Sequence, residues 1–109
     1  MRKPSENDFT IEIEGVGTFR YAQRTIGDFI AIRKRYTELV GGSDDPWVVN
    51  TASAIAVHEQ MCTSCPEGWE DLSKLPFDME GKVLSQLFEL DRKIGEAENS
   101  FRKGQGAAG

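Results

Sequence analysis

The sequence predicts an α+β fold: an N-terminal β-hairpin packed on a mainly helical body of about three principal helices. Apolar and polar residues alternate over residues 8–23 and then recur at three- and four-residue spacing from Thr25 onward. Glycines and prolines punctuate the boundaries between those stretches. The length, 109 residues, suits one domain with a single modest core. That domain is expected over 8–102, between a frayed start at 1–7 and a flexible, glycine-containing tail at 103–109.

Phe9, Ile11 and Ile13 point one way while Thr10, Glu12 and Glu14 point the other, as in a strand with one wet face. Gly15-Val16-Gly17 supplies a tight turn, and Phe19 and Tyr21 resume the alternation. Such a hairpin needs a helix against its apolar face. Thr25 fits a helix N-cap, with Asp28 three residues on closing a capping box. Ile26, Phe29, Ile30, Tyr36, Leu39 and Val40 form the expected apolar face of this first helix, which stops at Gly41-Gly42. Asp45 and Pro46 then start a second helix as cap and first helical residue, running to about Met61. Trp47, Thr51, Ala54, Ile55, His58 and Met61 share one stripe of it, and Ala52, Ala54 and Ala56 permit close helix packing. Pro66-Glu67-Gly68 breaks the pattern, and Trp69 to Pro76 reads as a loop with room for one helical turn. A last helix is expected from Asp78 or Met79 to about Arg102, with Val83, Leu84, Leu87, Phe88, Ile94, Ala97 and Phe101 apolar. Gly95 weakens its middle by roughly 1 kcal/mol relative to alanine.

Charge narrows the partners. The net charge is −5, which disfavours nucleic acid as a partner. The basic cluster Arg33-Lys34-Arg35 falls inside the first helix and reads as a solvated face. No apolar run approaches the roughly 20 residues that span a bilayer. The N-terminus lacks the apolar core of a secretory signal. A cytoplasmic protein with reduced cysteines is therefore expected.

One constellation looks chemical. His58-x3-Cys62-x2-Cys65 could supply three zinc ligands, but a structural site needs four. A carboxylate or another subunit would have to complete the shell. As a thiol redox pair the cysteines stand at the wrong end of their helix, beside carbonyl groups that disfavour a thiolate. The plainer reading is two small half-buried residues in a helix-to-loop turn. No nucleophile motif, phosphate loop or second histidine supports catalysis, and no cofactor is expected. Asp44-Asp45 and Glu70-Asp71 read as caps and solvated loops before they read as cation ligands. Trp47 and Trp69 flank loops at the two ends of the second helix, where a tryptophan either pins a loop to the core or anchors a partner. With Phe88 and Phe101 on the weakened last helix, they form the candidate partner-binding set.

In order along the chain come Phe19-x-Tyr21, Thr25-Ile26-Gly27-Asp28-Phe29-Ile30-x-Ile32-x-x-Arg35, Val40-Gly41-Gly42, a tryptophan- and alanine-containing helix, Cys65-Pro66-Glu67-Gly68-Trp69, and a leucine-rich helix closing on Ser100-Phe101-Arg102. This order resembles the small tail assembly chaperones of long-tailed bacteriophages and prophages, over residues 19–102. The family pattern does not include the cysteines. The resemblance implies a non-catalytic helper in the cytoplasm of the bacterial host. It would bind the long helical tape measure protein, help recruit tail tube subunits, and be absent from the mature virion. It also implies that a longer frameshifted form can exist. A small zinc-binding or thiol redox module built on His58, Cys62 and Cys65 is the alternative, and a prophage-encoded regulatory adaptor a third. Apolar helix faces of this kind also favour self-association when no client is bound.

Overall fold

In a computed structural model the chain runs β1 (Phe9–Ile13), β2 (Gly17–Tyr21), α1 (Ile26–Val40), α2 (Pro46–Met61), β3 (Cys62–Ser64), a 3₁₀ turn (Leu72–Lys74) and α3 (Lys82–Ala108). The structure describes the backbone of residues 2–78 and 80–108, and side chains up to residue 100 with Met1 and Met79 excepted. The Phe101 side chain and those of the expected tail over 103–109 lie outside the described residues. The α+β class holds.

The hairpin forms as the alternation requires. Phe9 pairs with Tyr21, Ile11 with Phe19 and Ile13 with Gly17, which puts the apolar residues of both strands on one face. Gly15 and Gly17 take φ of 81° and 136°, the positive values that let so short a connection reverse the chain. The sheet has a third strand that the sequence did not announce. β3 adds antiparallel to β2, with Arg20 opposite Ser64, Tyr21 opposite Cys62, and a bulge between Arg20 and Tyr21. The Ala22 N–H donates to the Met61 carbonyl at 2.9 Å, carrying the pairing up to the end of α2. Three residues, Cys-Thr-Ser, are too few to display a period of two, so the segment reads as a turn in sequence.

Both early helices start at the predicted caps. The Thr25 hydroxyl accepts from the Asp28 N–H, and the Asp28 carboxylate accepts from the Thr25 N–H, a complete capping box. Asp45 accepts from the N–H groups of Trp47 and Val48, with Pro46 at the first turn. α3 starts later than the sequence suggests. Gly81 takes φ of 73°, and Asp78 accepts from the N–H groups of Lys82 and Val83 at 3.0 and 3.2 Å. Asp78 thus serves as a cap and not as a first helical residue.

The face that α1 buries departs from expectation. Ile26, Phe29 and Ile30 are 83%, 54% and 50% exposed, whereas Asp28 and Ile32 are buried. Asp28 sets this rotation. Its Oδ1 accepts from Arg2 at 2.7 Å and from Gln60 of α2 at 3.0 Å, while Oδ2 accepts from the Thr25 hydroxyl and N–H. A carboxylate so bonded must point inward, and at about 100° per residue its apolar neighbours are carried outward. Burial alone would raise the Asp28 pKa, but the bonds from Arg2, Gln60 and Thr25 hold it well below the usual carboxylate range. Asp28→Asn replaces one acceptor oxygen by a donor facing donors. It should destabilise the protein by about 2 kcal/mol near neutral pH. A depressed folded-state pKa contributes stability that is complete above the unfolded value of about 3.9 and lost as pH falls through the folded one. The gap between native and variant urea midpoints should therefore narrow below about pH 4. Equal midpoints at pH 7 would contradict this role.

The core lies where sheet and helices meet. Ile11, Ile13, Phe19 and Tyr21 from the hairpin pack with Ala54, Val57 and Met61 of α2 and Leu87, Leu90 and Ile94 of α3. α2 buries Ala52, Ala54, Ala56, Val57, His58 and Met61, more than one helical face, because α1 and the sheet enclose it. Arg24 clamps α3 with a bidentate pair to Glu98, at 2.8 and 2.7 Å. Arg35 ties α1 to Glu59 of α2 at 2.9 Å. Among the described residues, no helix is long and apolar enough to cross a membrane.

Candidate functional site

The end of α2 gathers the chemistry-bearing residues. Cys62 caps α2 in extended conformation, its N–H still donating to the His58 carbonyl, so helix passes directly into strand. Pairing of β3 with β2 then sets Tyr21 beside this junction. The Tyr21 hydroxyl lies 2.7 Å from His58 Nδ1, and His58 Nε2 lies 2.7 Å from the Trp69 carbonyl oxygen. A carbonyl only accepts, so Nε2 carries the proton and Nδ1 accepts from Tyr21. The imidazole also packs nearly perpendicular to the Phe19 ring, at 6.0 Å between centroids and 75°, and Trp69 meets Phe19 at 5.4 Å and 84°. His58 is 1% exposed. Burial lowers its pKa, with the bond to Trp69 and the charge of Glu59 opposing. It is held neutral, as a bridge between strand and loop.

His58, Cys62 and Cys65 offer ligand atoms that all lie within 4.8 Å of one another. The sequence spacing thus does bring these three together. Burial pushes the Cys62 thiol up to about 12 and raises Cys65 as well. Cys62 donates to the Ser64 carbonyl at 3.3 Å. These are protonated thiols at the carbonyl end of a helix, the reverse of the helix N-terminus that activates a redox cysteine pair.

A second feature lies between α2, the 3₁₀ turn and the start of α3. It is a groove of about 360 Å³, lined chiefly by apolar side chains, with Trp47 and Ile55 of α2, Leu75 and Phe77 of the connecting loop, and Val83 and Leu84 of α3. Trp47 is 53% exposed and Phe77 70% exposed. Asp45 holds Trp47 at the first turn of α2, and the 3₁₀ turn, capped by Asp71, sinks Leu72 while leaving Phe77 out.

Of the four residues expected to face a partner, Trp47 is exposed and lines this groove. Phe88 is exposed on α3 but does not line the groove. Trp69 is corrected: at 8% exposure it belongs to the core, drawn in by Phe19 and by the bond its carbonyl receives from His58. Phe101 lies outside the described residues. The sequence reading missed Phe77, whose signal was a large apolar residue between Pro76 and Asp78 in a loop. It also missed the role of Tyr21, which alternation marks only as inward-facing. The acidic pairs do cap: Asp45 for α2 and Asp71 for the 3₁₀ turn. In the basic cluster, Arg33 lies 5.2 Å from the Tyr36 ring centre and Arg35 pairs with Glu38 and Glu59.

No family model matches the chain, and neither a curated protein nor a solved structure matches it.

Proposed function

We propose that this chain is a non-catalytic tail assembly chaperone of a long-tailed bacteriophage or prophage, holding an apolar helical segment of the tape measure protein in the groove between α2 and α3. The observation that carries this reading is that two exposed aromatics, Trp47 and Phe77, line one apolar trough. A groove of this kind accepts the apolar face of an amphipathic helix, with large side chains as anchors. Asp78 lines the trough, and Asp44 and Asp45 immediately precede Trp47. The favoured client segment therefore carries basic residues beside its apolar stripe.

Ile26, Phe29 and Ile30 form a second apolar surface on α1, and none of them lines the groove. Two separate apolar surfaces suit a protein that brings tail tube subunits to a client it already holds. The same α1 face offers a route to self-association when tube subunits are absent. The protein works in the host cytoplasm and leaves the particle before the virion is mature. Co-expression with a tape measure protein tests the reading. The expected result is a soluble complex that co-purifies through size exclusion, where the client alone precipitates. A client that stays insoluble and does not co-purify counts against it.

A further inference from the structure

We infer that His58, Cys62 and Cys65 form a zinc-binding site. Around a tetrahedral zinc ion, bonds of about 2.0–2.3 Å place ligand atoms roughly 3.3–3.8 Å apart. Here the three ligand atoms already lie within 4.8 Å of one another. Closure takes about 1 Å, within reach of side-chain torsions. Their positions are fixed by three different devices: the last turn of α2 for His58, the extended helix cap for Cys62, and the end of β3 for Cys65.

The surroundings fit a metal. Two thiolates, a neutral imidazole and Zn²⁺ sum to zero charge, which a buried site tolerates. The bond from His58 Nε2 to the Trp69 carbonyl is the outer-shell contact that orients metal-bound imidazoles, and it keeps Nδ1 unprotonated, so that its lone pair can pass from the Tyr21 hydroxyl to a metal. The Tyr21 hydroxyl now on Nδ1 stands at the same place, ready to join the shell or to bond a coordinated sulfur. His58 and Cys62 also line a cavity with Glu59, Glu70 and Asp71, through which the ion enters past attracting carboxylates. On binding, each thiol releases its proton to solvent as its S–Zn bond forms, and no electrons are transferred. Because His58 and Cys62 have hydrogen-bond partners without the ion, zinc adds to a complete fold and is not a condition for it.

The test uses the full chain, reduced and stripped with a chelator, then titrated with Co²⁺ as probe and with Zn²⁺. One equivalent of cobalt should give tetrahedral visible bands and thiolate-to-metal charge transfer, both abolished by added zinc. The melting temperature should rise with zinc concentration. Cys65→Ser, at the half-buried position, should keep the circular dichroism of the native chain. It should weaken metal binding by more than the roughly 10–100-fold that outer-shell changes cost. Absence of the charge-transfer band, or unchanged binding in Cys65→Ser, overturns the site. Client capture by the groove is measured separately, so failure of one leaves the other standing.

Discussion

Replacing His58 by alanine should lower the unfolding free energy by about 3–5 kcal/mol. That is a large part of the roughly 5–15 kcal/mol that holds such a domain together. The truncation leaves a cavity against Phe19, and it strands two groups in the interior, the Tyr21 hydroxyl and the Trp69 carbonyl. Either orphan alone costs about 1–3 kcal/mol. Tyr21→Phe keeps the ring and leaves only His58 Nδ1 unpaired, so its cost should be smaller, about 1–2 kcal/mol. Urea unfolding of the two single variants and the double variant separates the terms. A strongly non-additive double variant is expected, because the two side chains share one bond. If His58→Ala unfolds at the native midpoint, the bridge contributes nothing.

On the proposed function, the combined Trp47→Ala and Phe77→Ala variant should bind a tape measure segment far more weakly than the native chain does. Central aromatic anchors cost about 2 kcal/mol or more each on truncation, roughly 30-fold in affinity apiece. Both side chains are at least half exposed in the free protein, so the fold itself should change little. Calorimetric titration with a client peptide measures the loss, and thermal melts verify that the variant stays folded. Serine at Ile26 and Phe29 serves as the contrast, since those residues lie outside the groove and should leave client affinity intact. Equal binding by the Trp47/Phe77 variant and the native chain would remove the groove as the client site.

Local signals made much of the fold legible. The alternation from Phe9 to Tyr21, the Thr25 and Asp45 caps, and the glycines after Val40 each act over a few residues, and each stands where the sequence placed it. What escaped depends on distant partners. β3 exists because β2 offers an edge some forty positions earlier, which no three-residue segment can announce. The rotation of α1 is set by Arg2 and Gln60 meeting at Asp28, so a hydrophobic pattern that looks inward ends up facing water. At the site, the spacing of His58, Cys62 and Cys65 was visible, because one helical turn and a short strand connect them. The bonds from His58 to Tyr21 and Trp69 were not, since they join three separate elements. Phe77 and Trp69 show the same limit: both are aromatics in loops, and only the turn geometry between them decides which one is buried.

The sheet order has a bearing on how the protein avoids itself. Among the described residues, β1 has β2 on one side and no strand on the other, so its free margin could template another extended chain. Several features work against that. The strand is five residues long, Glu12 and Glu14 place like charges along and beside it, and the Lys93 ammonium of α3 occupies the Glu12 carbonyl at 2.9 Å. A lysine over an edge carbonyl repels a second copy's lysine and removes an acceptor from the ladder. The chain thereby keeps its own backbone from seeding a fibril, which the proposed role beside aggregation-prone clients would demand.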